Sequence, residues 1–182
     1  DADGRPAIAY LAVGIDDGAG HRVTELRLAR ATVSNPSSAS QWSTSVIASG
    51  AGTCAGLCGS GTVCVSGAPQ ICQAPTGDCS SACGDGTACI GGSCQDVVPE
   101  PTMATLATGT GLFVNLLVLP GGRLAAVYYD HNARALVLSQ EATAGGNDFT
   151  HTTLDAASPG DRGMWASAVA DGGGTIHVAY QD

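Results

Sequence analysis

The sequence predicts an all-β chain in which four-stranded antiparallel sheets follow one another and a small disulfide-rich insert interrupts them. Three observations carry this. The chain aligns with itself without a gap at an offset of 52 residues. Short segments on both sides of the insert alternate apolar and polar side chains. All eight cysteines of the 182 residues fall between Cys54 and Cys94. Self-similarity at a fixed period marks repeat architectures, and period-two alternation marks strands with one buried face.

The repeat is clearest between GLFVNLLVLPGGRLAAVYYD (111–130) and GMWASAVADGGGTIHVAYQD (163–182). Gly111, Gly121, Gly122, Tyr128 and Asp130 match Gly163, Gly173, Gly174, Tyr180 and Asp182; Phe113 matches Trp165 and Leu124 matches Ile176. The N-terminal DADGRPAIAY aligns with DGGGTIHVAY (171–180) as a third copy of the second half.

In chain order, 1–10 supplies the second strand of a repeat, VTELRLARA (23–31) the third and QWSTSVI (41–47) the fourth. A full unit follows the insert: FVNLLVL (113–119), RLAAVYY (123–129), ARALVLSQEA (133–142) and DFTHTTL (148–154). Leu26 and Leu28 answer to Leu136 and Leu138, and Trp42 to Phe149. These segments are short and rich in β-branched or aromatic residues. The PGG between the first two of the full unit is expected to supply the positive φ of a two-residue hairpin.

Four short antiparallel strands repeating near 50 residues describe a β-propeller blade. About two blades are expected, open or part of a larger ring. An immunoglobulin-like sandwich also uses such strands but requires no internal repeat. The expected domains are residues 1–50 (first blade, lacking its first strand), 51–104 (the Cys-rich insert) and 105–182 (second blade and the start of a third).

The insert is itself duplicated. CAGLCGSGTVCVSGAPQIC (54–72) and CSSACGDGTACIGGSC (79–94) both read C-x3-C-G-x-G-x2-C followed by a fourth cysteine. An even cysteine count in a repeated unit reads as a disulfide framework. No aromatic residue lies between Trp42 and Phe113, so covalent staples must replace a core that would offset chain entropy. Structural zinc sites favour C-x2-C knuckles, and neither these nor haem or iron–sulfur spacings occur. A unit copied whole closes its own bonds, so two lobes without a crossing disulfide are expected. First-to-third and second-to-fourth pairing gives Cys54–Cys64, Cys58–Cys72, Cys79–Cys89 and Cys83–Cys94, although four cysteines allow three pairings per lobe.

Disulfides point to a secreted, cell-surface or periplasmic setting. The first ten residues lack the basic start and apolar run of a signal peptide, so a processed product or a piece of a longer protein is expected. The net charge is −9, from 16 acidic residues against seven arginines and no lysine. Phosphate backbones would repel such a chain, and nucleic-acid binding is not expected. No apolar run approaches the ~18 residues of a membrane span.

The pattern G-x-W/F followed by G-G and A/V-Y-x-D resembles the blade repeat of secreted bacterial propellers of the sialidase-like, BNR type. In DGGGTI (171–176), Asp171, Gly173 and Thr175 are similar to that group's S-x-D-x-G-x-T-W box, with Val169 and Ile176 standing where the box has Ser and Trp. The insert resembles the short EGF-like disulfide repeats of large surface proteins from Lys-poor bacteria such as myxobacteria. The resemblance implies an extracellular propeller, and for a sialidase an Arg cluster, a Tyr nucleophile with a Glu partner, and an Asp acid. No such set recurs at strand starts, and Glu25 and Arg27 read as a solvated pair. Catalysis is therefore not expected, and neither is a cofactor or a metal.

Tyr129, Asp130 and His131 form the richest polar-aromatic cluster and are the candidate ligand-binding residues. Against this, Tyr10, Tyr128 and Tyr180 recur at one repeat position and are expected to pack between blades, while Asp130 caps the turn after its strand. The expected function is non-catalytic binding or structure, in adhesion or surface assembly through blade edges and the stapled insert. The alternatives are a lectin that completes a ring from several chains and, third, a fragment of a sialidase-like hydrolase. Expected partners are other chains or further blades, and glycans.

Overall fold

The computed structural model describes residues 1, 3–18, 22–54, 57–67, 70–98, 109–156 and 160–181. The described residues are all-β, a set of small antiparallel sheets with two short turns of 3-10 helix among them. Contacts divide the chain into two units: Asp1–Ala12, Glu25–Ser49 and Thr110–Asp182, and Val13–Thr24 with Gly50–Gly109.

The first unit is organised around a four-stranded sheet of β8 (Thr110–Val118), β9 (Leu124–Asp130), β10 (Ala135–Glu141) and β11 (Phe149–Ala156), in the order β11-β10-β9-β8. Each strand pairs with its sequence neighbour, as four alternating segments with short connections dictate. β1 (Ala7–Asp16), β2 (Arg22–Ala31) and β3 (Trp42–Ala51) form a three-stranded sheet in chain order, and β12 (Met164–Ala170) pairs with β13 (Ile176–Gln181).

Alternation assigns the faces. On β9, Leu124, Ala126 and Tyr128 turn to one side and join Leu26, Leu28 and Ile47 of the three-stranded sheet. Ala125 and Val127 turn to the other side, where Leu117, Leu119 and Leu136 meet Ala166, Ala168, Ala170, Ile176 and Val178. The central sheet is thus covered on both faces, and Leu124 through Tyr129 are all buried.

The 52-residue repeat extends to backbone detail. The β8–β9 ladder slips between Leu112 and Asn115, and the β12–β13 ladder slips between Met164 and Ser167 at the equivalent residues. Inside these bulges Phe113 (φ 54°) and Trp165 (φ 55°) both take left-handed conformations. The preceding glycines repeat as well. A side chain on Gly111 (φ 100°) would run into Leu26, and one on Gly163 (φ 102°) into Leu136, which are themselves equivalent residues.

The connection between β8 and β9 differs from the expected two-residue hairpin. Pro120–Gly122 form a 3-10 turn with Gly121 at φ 80°, closed by the Leu119 N–H to the Arg123 carbonyl at 2.8 Å. Proline fixes φ and lacks an N–H, so the reversal falls to the glycines behind it. The Asp171 N–H reaches the Thr175 carbonyl at 2.9 Å in the same way one repeat later.

The second unit holds the cysteines. β4 (Val63–Val65) pairs with β5 (Ile71–Gln73), and β6 (Thr87–Ile90) with β7 (Ser93–Asp96). In each hairpin the third and fourth cysteines face one another across the ladder, Cys64 opposite Cys72 and Cys89 opposite Cys94. Each is bonded instead to a cysteine upstream: Cys54–Cys64, Cys58–Cys72, Cys79–Cys89 and Cys83–Cys94. No cysteine is free and no disulfide crosses between lobes. Thr62 and Thr87 close identical turns, each hydroxyl donating to a glycine carbonyl, Gly59 or Gly84, at 2.7 Å.

The lobes are not independent, however. Val65 bridges to Val97, the Ser66 N–H donates to the Asp96 carbonyl, and the Val98 N–H donates to that of Cys64. The lobes also differ in burial: Cys54 and Cys64 are buried with Val98 packed against them, whereas Cys94 is exposed.

Candidate binding site

The three candidate residues end β9 and begin the turn behind it, and alternation separates them. Tyr129 lies in the sheet, 1% exposed, and its hydroxyl donates to the Asp161 carboxylate at 2.6 Å. His131 follows two residues later with its ring 6.0 Å from that of Tyr129. Asp130 points elsewhere. One carboxylate oxygen accepts the N–H groups of Asn132 (2.9 Å) and Ala133 (3.1 Å), and the other accepts the Thr110 hydroxyl at 2.8 Å. It shapes the turn, as short acidic side chains do. Of the repeated tyrosines, Tyr128 is buried between sheets, whereas Tyr180 is partly exposed and bonds Asp155 through its hydroxyl.

Phe113 and Trp165 were not among the candidates, yet they extend the aromatic cluster. Their ring centroids are 4.5 Å apart, and Phe113 lies 6.3 Å from Tyr129. The signal was present in the sequence, since the two aromatics are aligned and each stands two residues after a glycine. Alternation alone cannot show that a bulge throws both rings to one side. Asn115 holds the strands beneath them. Its amide donates to the Ala166 carbonyl at 2.8 Å and accepts the Ala168 N–H at 3.3 Å. The result is an aromatic ledge with Trp165 at its outer end, 63% exposed.

The electrostatics do not prepare a nucleophile. Burial, then the adjacent Asp161 carboxylate, raise the Tyr129 phenol well above its ordinary value. It therefore stays protonated near neutral pH, and almost none of it is accessible. Five of the seven arginines lie against carboxylates: Arg27 on Glu25, Arg5 on Asp1 and Asp3, Arg22 near Asp16, Arg162 near Asp155, and Arg30 on Glu141.

The Arg30–Glu141 pair escaped sequence reading. Glu141 is 0% exposed and also accepts the Leu124 N–H (2.7 Å) and the Gly145 N–H (3.3 Å). A small pocket of about 190 Å³ opens beside it, lined among others by Arg5, Arg30, Gly121 and Gly145. The unpaired Nη1 of Arg30 is itself buried, so a molecule in the pocket could not reach it.

The chain matches no known family model, no curated protein and no solved structure.

Proposed function

We propose that this chain is an extracellular, non-catalytic binding or structural protein built from propeller-type blades, serving adhesion or surface assembly. The carrying observation is that the face of β12–β13 turned away from the central sheet is bare. Val169 there is 59% exposed, while the equivalent Leu117, one repeat earlier, is buried. Apolar surface left open on a repeat normally marks a contact site. Four disulfides support an oxidising setting. The pairing of arginines with carboxylates and the inaccessible Tyr129 speak for binding over glycoside hydrolysis.

A second reading, lectin activity, is favoured by exposed Trp165 beside Phe113, because aromatic faces stack on the C–H faces of sugars. A glycan array run alongside a screen of fluorogenic glycosides separates the readings. Binding without turnover is expected on the proposal. Array binding lost on Trp165→Ala would favour the lectin. Turnover abolished by Asp161→Asn would contradict both.

A further inference from the structure

We propose that the second cysteine lobe is a thiol-exchange site, where a low-molecular-weight thiol opens Cys83–Cys94 and the lobe re-pairs as Cys79–Cys83 and Cys89–Cys94, releasing the thiol.

Two independent observations carry it. The sulfurs of Cys79, Cys83 and Cys94 lie within 4.8 Å of one another, so the two disulfides of the lobe meet there. Cys89 and Cys94 stand directly opposite each other on β6 and β7. Opposed residues of an antiparallel ladder have Cα atoms about 4.5–5.5 Å apart, inside the span that a disulfide bridges. Both halves of the alternative pairing are therefore already assembled, and only sulfur–sulfur bonds need change.

The surroundings set the order of events. Cys94 is exposed, whereas the Asp78 carboxylate lies 3.6 Å from the Cys89 sulfur. Like charge turns an incoming thiolate away from Cys89, and access favours Cys94. The thiolate attacks the Cys94 sulfur, the Cys83–Cys94 bond breaks, and Cys83 leaves as a thiolate. Cys83 then attacks the Cys79 sulfur beside it and expels Cys89. The Cys89 thiolate attacks the mixed disulfide at Cys94 across the ladder and returns the external thiol. No electrons are gained or lost.

The first lobe has the same cluster in Cys54, Cys58 and Cys72, and the same opposition of Cys64 and Cys72. There the second step would attack Cys54, 0% exposed, and expel Cys64, 5% exposed. Burial disfavours a thiolate, so that lobe keeps its bonds. In the second lobe the exchange has a structural consequence. Both present disulfides tie residues 79–83 to the β6–β7 hairpin, and the re-paired lobe retains neither tie.

Cleavage on the N-terminal side of aspartate reads the outcome. Cuts at Asp78, Asp85 and Asp96 give peptides 78–84 and 85–95, each with two cysteines. The whole chain is held without oxygen with one equivalent of reduced glutathione, near the ordinary thiol pKa of about 8.5. Free thiols are then blocked with N-ethylmaleimide, and the chain is denatured and cut. Without glutathione the two peptides stay linked. With it they should separate, each carrying an internal disulfide and no blocked thiol. Peptides that stay linked, or that separate only in blocked form, would overturn the proposal. Cys94→Ser isolates the middle step, since it frees Cys83 without any external thiol. In that variant N-ethylmaleimide should label Cys89 as well as Cys83, and label confined to Cys83 would overturn the proposal too.

Discussion

Glu141 shows how much one polar residue can organise inside an apolar stack. Fully buried, its carboxylate takes the Arg30 guanidinium on one oxygen and two backbone N–H groups on the other. Removing one partner of a buried pair leaves an uncompensated charge, at a cost of about 3–5 kcal/mol. Glu141→Ala should reach that range in urea unfolding, since it strands Arg30 and the Leu124 N–H together. Arg30→Met should cost less, because the carboxylate keeps its backbone donors. Equal losses would show that the pair does not cooperate with the turn. Tyr129 gives a pH signature. Its folded-state value is raised, so the folded chain holds this proton more tightly than the unfolded one, whose tyrosines titrate near ~10. That contribution is complete below about pH 10 and is lost as the pH rises beyond it. Melting temperature should therefore fall on the alkaline side, and Tyr129→Phe should flatten the fall. Tyr128, raised chiefly by burial, keeps part of it.

Among the elements, the repeated bulges and the duplicated lobes make separate predictions. Gly111 and Gly163 combine positive φ with close approach to Leu26 and Leu136, so an added methyl group both strains the backbone and collides. Gly111→Ala and Gly163→Ala should each destabilise by roughly 2–4 kcal/mol. Gly121→Ala has open space and a positive φ, and should cost only about 1 kcal/mol. A chemical-denaturation series that ranked Gly121 with the other two would contradict this account of the bulge. In the insert, limiting reductant followed by alkylation and peptide mapping should label Cys83 and Cys94 before Cys54 and Cys64, because exchange requires access to sulfur and the first lobe buries the Cys54–Cys64 pair. Complete reduction should leave most of the β-sheet circular dichroism, which comes from strands that carry no cysteine.

For the molecule as a whole, the parts legible in the sequence are those set by period and spacing. The strands from β8 to β11 were visible because alternation and glycine punctuation agree there, and the confinement of each disulfide to its own lobe was visible because the unit is duplicated. What escaped depends on contacts between distant segments. Nothing near Arg30 says that Glu141, 111 residues on, will meet it. Phe113 and Trp165 read as ordinary strand aromatics until the bulges turn them. The lobes read as separate, yet the residues after Cys94 stitch them together through backbone groups that carry no sequence signature.

The central claim is that the sheets stack through equivalent positions, Leu26 on the β9 side and Leu136 on the β12–β13 side, so that the central sheet is covered on both faces. Amide hydrogen exchange of the intact chain, followed by mass spectrometry, tests it most directly. Exchange follows local opening, which is rarest where both faces are covered. The account predicts slowest exchange in β9 and β10, with faster exchange in β1, β12 and β13, where Ile8 and Val169 are exposed. Protection in β12–β13 equal to that of β9 would contradict it.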